Sequence, residues 1–172
     1  MDSYISQIQQ AFGTMPENSR IWVYQANQFL SEEHVVFIQE KVKGFVATWN
    51  NHGTNLHGEG LVLFNLFLVL AVDESEIGAS GCSIDSSMRL IKELESELQV
   101  SFTDRMKLAY LEEKILLTSL QELPSTVHEG TWVFNNLVAN VGEWKSSWIA
   151  PLNKTWVRRF LKANSPIFSS IK

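Results

Sequence analysis

The sequence predicts one α+β domain, with a mixed or mostly antiparallel sheet of about five strands and helices packed mainly on one face. A chain of 172 residues with 45% hydrophobic content is long enough to bury one sizeable core. Helical patterns alternate with hairpin-like pairs of strands, in the order α-β-α-β(β)-α-β-β-β-α, without the strict βαβ alternation of a doubly wound fold. We expect a helical extension over residues 1–19, the domain over 20–165 and a tail over 166–172.

Charge and composition limit the partners and the location of the protein. The net charge is −5 and the basic residues are scattered, so nucleic acid is not an expected partner, because binding to phosphate backbones needs clustered positive charge. The longest apolar run, Leu61–Val72, is interrupted by Asn65 and is shorter than the ~20 residues that span a bilayer, so we expect no membrane contact. The single cysteine forms no internal disulfide, and the first residues show no signal-like pattern, which favours the cytoplasm.

The first third of the chain contains the helix with the clearest sequence signals, an N-cap and an apolar stripe. Residues 1–19 form an amphipathic extension, and Ile21–Tyr24 has the β-branched and aromatic composition of a strand. Ser31 is a good N-cap for the helix that follows, whose apolar stripe is expected to cover a sheet face. Asn50–Gly53 should end this helix, since asparagine and glycine accept the left-handed conformation.

The middle of the chain predicts a buried strand pair and a second long helix. Leu61–Val72 is almost wholly apolar and longer than one strand, so we expect a bend, bulge or turn near Asn65. From Ile84 onward, apolar residues repeat at helical spacing, and either Ser83 or Asp85 should cap the helix.

The last third predicts three strands and two helices. The strands are expected at Met106–Leu111, Ile115–Leu117 and Thr131–Phe134. Ser119–Leu123 is a candidate for a short helix, and Asn153–Lys162 for the last one.

Several segments together resemble one protein family. They are Ile21–Gln25, Trp49 with His52-Gly53, Val72–Glu74, Gly78–Asp85, Val133–Asn136, and the ending with Trp148, Pro151 and Trp156. From Ile21 to about Phe160 the chain resembles a family of small uncharacterised bacterial proteins that are often labelled "ABC transporter ATPase". The resemblance implies no role for any residue. ATP hydrolysis is not expected, because a phosphate-binding loop of that class ends in Gly-Lys-Ser/Thr and no Gly-Lys pair occurs in the chain.

The stretch Gly78–Asp85 is the first place to look for chemistry. Its small residues let backbone N–H groups approach a ligand, and a helix start favours a thiolate at Cys82. A catalytic Cys82 would need a base and an orienting group, and the candidates are His52, His57, Asp73, Asp85 and Asn135. The alternative is that Cys82 is a small buried residue that packs the loop.

Three further hypotheses concern ligands and metals. The backbone of Gly78–Ser83 could hold a small anion, and the candidate ligand-binding residues are Gly78, Ser80, Gly81, Ser83, Asp73, Asn135 and Asn136. Turn formation explains Asn135 and Asn136 as simply. His52, His57 and Glu59 match no rigid ligand spacing, so neither a metal nor a cofactor is expected.

The leading functional hypothesis is based on the tryptophans. A helix containing Trp144 and Trp148, together with Trp156, would present a broad aromatic patch, for which core packing is the alternative. The sequence therefore favours a non-enzymatic binding or interaction domain, whose partner is a protein, either another copy of the chain or a different protein. The alternative is a thiol-dependent enzyme or a redox-sensitive protein that uses Cys82, and a third hypothesis is the binding of a small anion.

Overall fold

The computed structural model describes residues 1–163, apart from the side chains at positions 124, 125, 162 and 163. The predicted tail over 166–172 lies outside the described residues. The chain divides into two compact units: the first contains residues 1–104 and 136–146, and the second contains residues 105–135 and the described chain from 147 onward. The predicted boundaries at residues 19 and 165 stay predictions.

Six α-helices and nine strands make up the described chain. In chain order they are α1 (Asp2–Gln10), β1 (Arg20–Gln25), α2 (Glu32–Thr48), β2 (Asn50–Asn51), β3 (Thr54–Asn55), β4 (His57–Leu63), β5 (Phe67–Asp73), α3 (Gly81–Leu98), β6 (Lys107–Leu111), β7 (Ile115–Ser119), α4 (Leu123–Thr126), β8 (Trp132–Phe134), α5 (Val141–Ser147), β9 (Ile149–Pro151) and α6 (Arg158–Ala163). A 3-10 helix covers Leu152–Lys154. The α+β class is confirmed.

The strands form three antiparallel sheets, where we expected one sheet of about five strands. In the first unit, β5 lies between β1 and β4, and β2 pairs with β3 alone; in the second unit the order is β7-β6-β8-β9. The antiparallel pairing is as expected. The division follows the chain order. Strands β6 and β7 come after the 18-residue helix α3 and pair with each other, β6 also pairs with β8, and β8 pairs with β9. Strand β9 was not predicted, because three residues ending in Pro151 carry little strand signal.

The hairpin of β4 and β5 confirms the turn predicted near Asn65. Phe64 and Asn65 both have positive φ, at 55° and 50°, and Leu63 pairs with Phe67 across the turn. Strand β5 is the centre of the first unit, and its residues from Phe67 to Val72 are completely buried. Its almost continuous apolar composition therefore reflects burial on both faces.

Helix α2 begins where the sequence predicted but ends differently. The side chain of Ser31 accepts a hydrogen bond from the backbone N–H of His34 at 3.1 Å, which confirms the N-cap. The helix ends at Trp49, whose backbone is extended. The left-handed residues are His52 (φ 49°) and Gly53 (φ 88°), which form the two-residue turn between β2 and β3, so they shape a hairpin and do not cap the helix.

Two glycines of β4 let α2 lie close against the sheet. A Cβ atom on Gly58 would come 2.9 Å from Cε3 of Trp49. A Cβ atom on Gly60 would overlap Cγ1 of Val42 and lie 2.8 Å from Cδ2 of Leu70. Val42 of α2 and Trp49, the residue that follows α2, are each 1% exposed, so their side chains fill the space that these glycines leave.

Helix α3 is capped by Ser80, and the expectation of a cap at Ser83 or Asp85 is wrong. The Oγ atom of Ser80 accepts a hydrogen bond from the backbone N–H of Ser83 at 3.4 Å. Ser83 is a buried residue of the first helical turn, and Asp85 is an exposed one further along. The helix starts earlier than predicted because Gly81 and Cys82 already have helical geometry.

Glu95 anchors the C-terminal half of α3 to the chain that follows it. Its Oε1 atom accepts hydrogen bonds from the backbone N–H groups of Phe102, at 2.6 Å, and Thr103, at 2.8 Å, and from the hydroxyls of Ser101 and Thr103. Burial by itself raises the pKa of the Glu95 carboxyl, but the hydrogen bonds from Thr103, Phe102 and Ser101 outweigh it, so the pKa is lowered.

Both late helices differ from the prediction. Ser119 belongs to β7, so the short helix lies at Leu123–Thr126 instead of Ser119–Leu123. The helix expected over Asn153–Lys162 is interrupted at Thr155, whose backbone is extended and whose side chain is 8% exposed. A buried β-branched residue at this point separates the 3-10 helix from α6.

The predicted aromatic patch is wrong, because Trp144 and Trp148 are buried in separate units, while Trp156 is partly buried against the core of the second unit. In the first unit, Trp144 is completely buried and packs edge to face on Phe12, with 5.3 Å between ring centroids. In the second unit, Trp148 is also completely buried and packs on Phe134 at 5.1 Å. Helix α5 ends at Ser147, so Trp148 lies beyond the helix on which the patch depended.

We predict that Gly60→Ala lowers the free energy of unfolding by about 1–3 kcal/mol, because the added methyl group overpacks a filled site. Urea denaturation measures this change. Gly81→Ala is the control, since a Cβ there meets no atom within 4 Å, and its effect should stay within about 0.5 kcal/mol. If Gly60→Ala were as stable as the wild type, this would contradict the close approach of α2 to β4.

Candidate functional site

A groove between α2 and α3 in the first unit brings together two of the predicted site residues. It has a volume of about 640 Å³ and includes Cys82 and His52 in its lining. Cys82 is exposed in the first turn of α3, so the prediction of a buried loop cysteine does not apply. His52 projects from the turn between β2 and β3. Within the described residues, no hydrogen bond joins the thiol to the imidazole.

The two helices line the groove with one face each. Helix α3 contributes Cys82, Ser86, Arg89, Leu90 and Glu93, which recur every three or four residues. Helix α2 contributes Lys41, Gly44, Phe45, Thr48 and Trp49 at the same spacing. Phe45 and Trp49 belong to the apolar stripe that was predicted to cover a sheet face, so the sequence did not indicate that they also border a groove.

Two contacts between α2 and α3 show that the helices run antiparallel. Near the start of the groove on α2, Nζ of Lys41 forms ion pairs with Glu93 at 2.5 Å and Glu97 at 3.4 Å. Near the end of α2, Nε1 of Trp49 donates a hydrogen bond to the backbone carbonyl of Ser83 at 2.9 Å. The ion pairs therefore lie at one end of the groove, and the first turn of α3 lies at the other.

The loop before α3 uses several of the backbone groups that we assigned to an anion. The N–H of Ala79 donates to Oε1 of Glu74 at 2.8 Å, and the N–H of Ser83 donates to Ser80. The carbonyl of Gly78 accepts a hydrogen bond from Nδ2 of Asn51 at 2.9 Å. Binding of an anion by this backbone stays a prediction. The carboxylate of Glu74 already accepts one of the N–H groups that such an anion would use.

His57 and Asp73 form a pair outside the groove. They lie opposite each other in β4 and β5, and Nδ1 of His57 is 3.6 Å from Oδ2 of Asp73. The backbone N–H of Ser75 lowers the pKa of Asp73 most, followed by the Ser75 side chain, and the contact with His57 lowers it further. Neither residue lines the groove, and Asp85 does not line it either.

The two asparagines belong to different units, and both make structural contacts. In the second unit the backbone N–H of Asn135 donates to the carbonyl of Trp148 at 2.6 Å. In the first unit Nδ2 of Asn136 donates to Oε1 of Gln25 at 3.1 Å. Their presentation to a ligand stays a prediction.

The residues considered for a metal site are spread over separate contacts. Glu59 accepts a hydrogen bond from the hydroxyl of Thr14 at 2.6 Å, while His52 lies in the groove and His57 pairs with Asp73. Among residues 1–163, no three His, Cys, Asp or Glu side chains are arranged to hold a metal ion.

No family model, curated protein or solved structure matches the chain. The resemblance to the family labelled "ABC transporter ATPase" therefore stays a prediction. In the described part of the chain, every helix is too short or too polar to cross a bilayer.

Proposed function

We propose that the protein is a non-enzymatic binding domain, and that the groove between α2 and α3 holds its ligand. The groove supports this role because its volume of about 640 Å³ lies within the range of small-molecule sites, about 300–1,000 Å³. Its lining supports it as well, since the partly exposed ring of Phe45 offers apolar surface beside the polar side chains of Thr48 and Ser86.

A small molecule is the occupant that we favour. Trp144 and Trp148, on which the protein-partner hypothesis depended, are completely buried, so a partner of either kind, self or other, stays a prediction. We place the binding role in the cytoplasm, because the only cysteine of the chain is an exposed free thiol.

Benzyl alcohol, a small neutral aromatic molecule, tests the groove as a binding site. Titration to millimolar concentration should shift the amide NMR signals of Gly44, Thr48 and Ser86 in a saturable way. Gly44→Leu should abolish these shifts, because the new side chain extends into space where a Cβ meets no atom within 4 Å, and leucine is well tolerated in a helix.

The matched control for this experiment is Ala47→Leu. Ala47 is an exposed residue of α2 that does not line the groove, so this variant should bind benzyl alcohol as the wild type does. The absence of saturable shifts in the wild type, or equal binding by Gly44→Leu, would overturn the assignment of the groove.

A second candidate function is supported by the position of Cys82. Its exposed thiol lies in the first turn of an 18-residue helix and shares the groove with His52, which is one of the bases considered for it. On this proposal the protein is a thiol-dependent enzyme or a redox-sensitive protein, and the groove holds the molecule with which Cys82 reacts.

The rate of alkylation by iodoacetamide tests the second candidate. At pH 7, folded protein should react at least about tenfold faster than urea-unfolded chain, because the thiolate is the reactive form. His52→Ala should remove this acceleration, and His57→Ala, which changes a histidine outside the groove, should preserve it. A folded rate equal to or below the unfolded rate would exclude a thiol-dependent activity and leave the binding role.

A further inference from the structure

We propose that the groove between α2 and α3 selects a small organic anion, whose charged group pairs with Arg89 and whose apolar part lies beside Gly44. This inference rests on the proposed binding function and specifies its ligand class. It concerns a different place from the backbone of Gly78–Ser83, which the sequence suggested for an anion.

Arg89 is the charge in the groove without a counter-ion. Lys41 and Glu93 also line the groove, but they neutralise each other in an ion pair of 2.5 Å, and Glu97 adds a second carboxylate at 3.4 Å from Lys41. Within the described residues, the guanidinium of Arg89 forms no ion pair and no hydrogen bond. An arginine presents its N–H donors in a planar fork that fits a carboxylate or a phosphate, so this side chain is suited to an anionic group.

Gly44 leaves open space in the opposite wall. It lies inside the 17-residue helix α2, where glycine is less favourable than alanine. The glycines Gly58 and Gly60 are needed for close packing, whereas a Cβ at Gly44 would meet no atom within 4 Å. Packing therefore gives no reason for a glycine at this position, and room for a ligand does.

The antiparallel arrangement sets Arg89 and Gly44 at the same level of the groove. The ion pair joins Lys41 to Glu93, and the indole hydrogen bond joins Trp49 to Ser83. The rise per residue is the same in both helices, so counting three residues from the Lys41–Glu93 pair brings Gly44 level with Leu90. Counting five residues from the Trp49–Ser83 pair brings Gly44 level with Met88, so Arg89 lies between these two levels. Phe45, next to Gly44, also lines the groove and offers a ring to the apolar part of a ligand.

Phenyl phosphate and benzyl alcohol, compared by amide NMR titration, test the charge preference. The wild type should bind phenyl phosphate at least fivefold more tightly than benzyl alcohol. Arg89→Gln should reduce this preference, measured as the ratio of the two affinities in the same variant, to less than twofold. Lys92→Gln is the matched control, because Lys92 is an exposed cation of α3 outside the groove, and it should keep the full preference.

The outcomes separate this inference from the proposed function. If benzyl alcohol shifts the groove signals and phenyl phosphate binds no more tightly, the groove is a binding site and the anion preference is wrong. Equal loss of preference in Arg89→Gln and Lys92→Gln would show a general charge effect and would overturn the role of Arg89. If neither molecule shifts the groove signals, the proposed function fails and this inference fails with it.

Discussion

The first unit depends on one buried side chain, Trp49, which connects α2, α3 and the sheet. Its indole N–H donates a hydrogen bond to the carbonyl of Ser83 at 2.9 Å, and its ring contacts Phe45 and Trp22 at centroid distances of 4.9 and 5.8 Å. Gly58 makes room for that ring on β4. A buried indole N–H without an acceptor would be costly, so the ring and the first turn of α3 fix each other's position. The groove is the space between helices held in this way.

Local signals in the sequence predicted the elements that local interactions form. Ser31 caps α2 through a hydrogen bond to the residue three positions later, and such a bond depends only on nearby residues. The turn at Asn65 interrupts an apolar run that is too long for one strand. Its position could be predicted because the signal lies in neighbouring residues. The α+β class followed from the order of these elements.

Features that depend on distant residues could not be predicted. The hydrogen bond of Trp49 spans 34 positions along the chain, and no pattern near either end indicates it. Arg89 and Gly44 line one groove only because two helices lie side by side, and the sequence singles out neither residue. Trp144 and Trp148 were predicted on one helical face, but a helix end at Ser147 separates them, and such boundaries carry weak signals.

Amide hydrogen exchange in Trp49→Phe tests most directly whether this indole holds the first turn of α3. The account predicts that protection of Ser86 and Ser87 falls about fivefold or more, the effect of losing a hydrogen bond worth about 1 kcal/mol. Trp144→Phe removes another fully buried indole of the same unit and should affect these two amides less. Wild-type protection in Trp49→Phe, or an equal loss in both variants, would contradict the account.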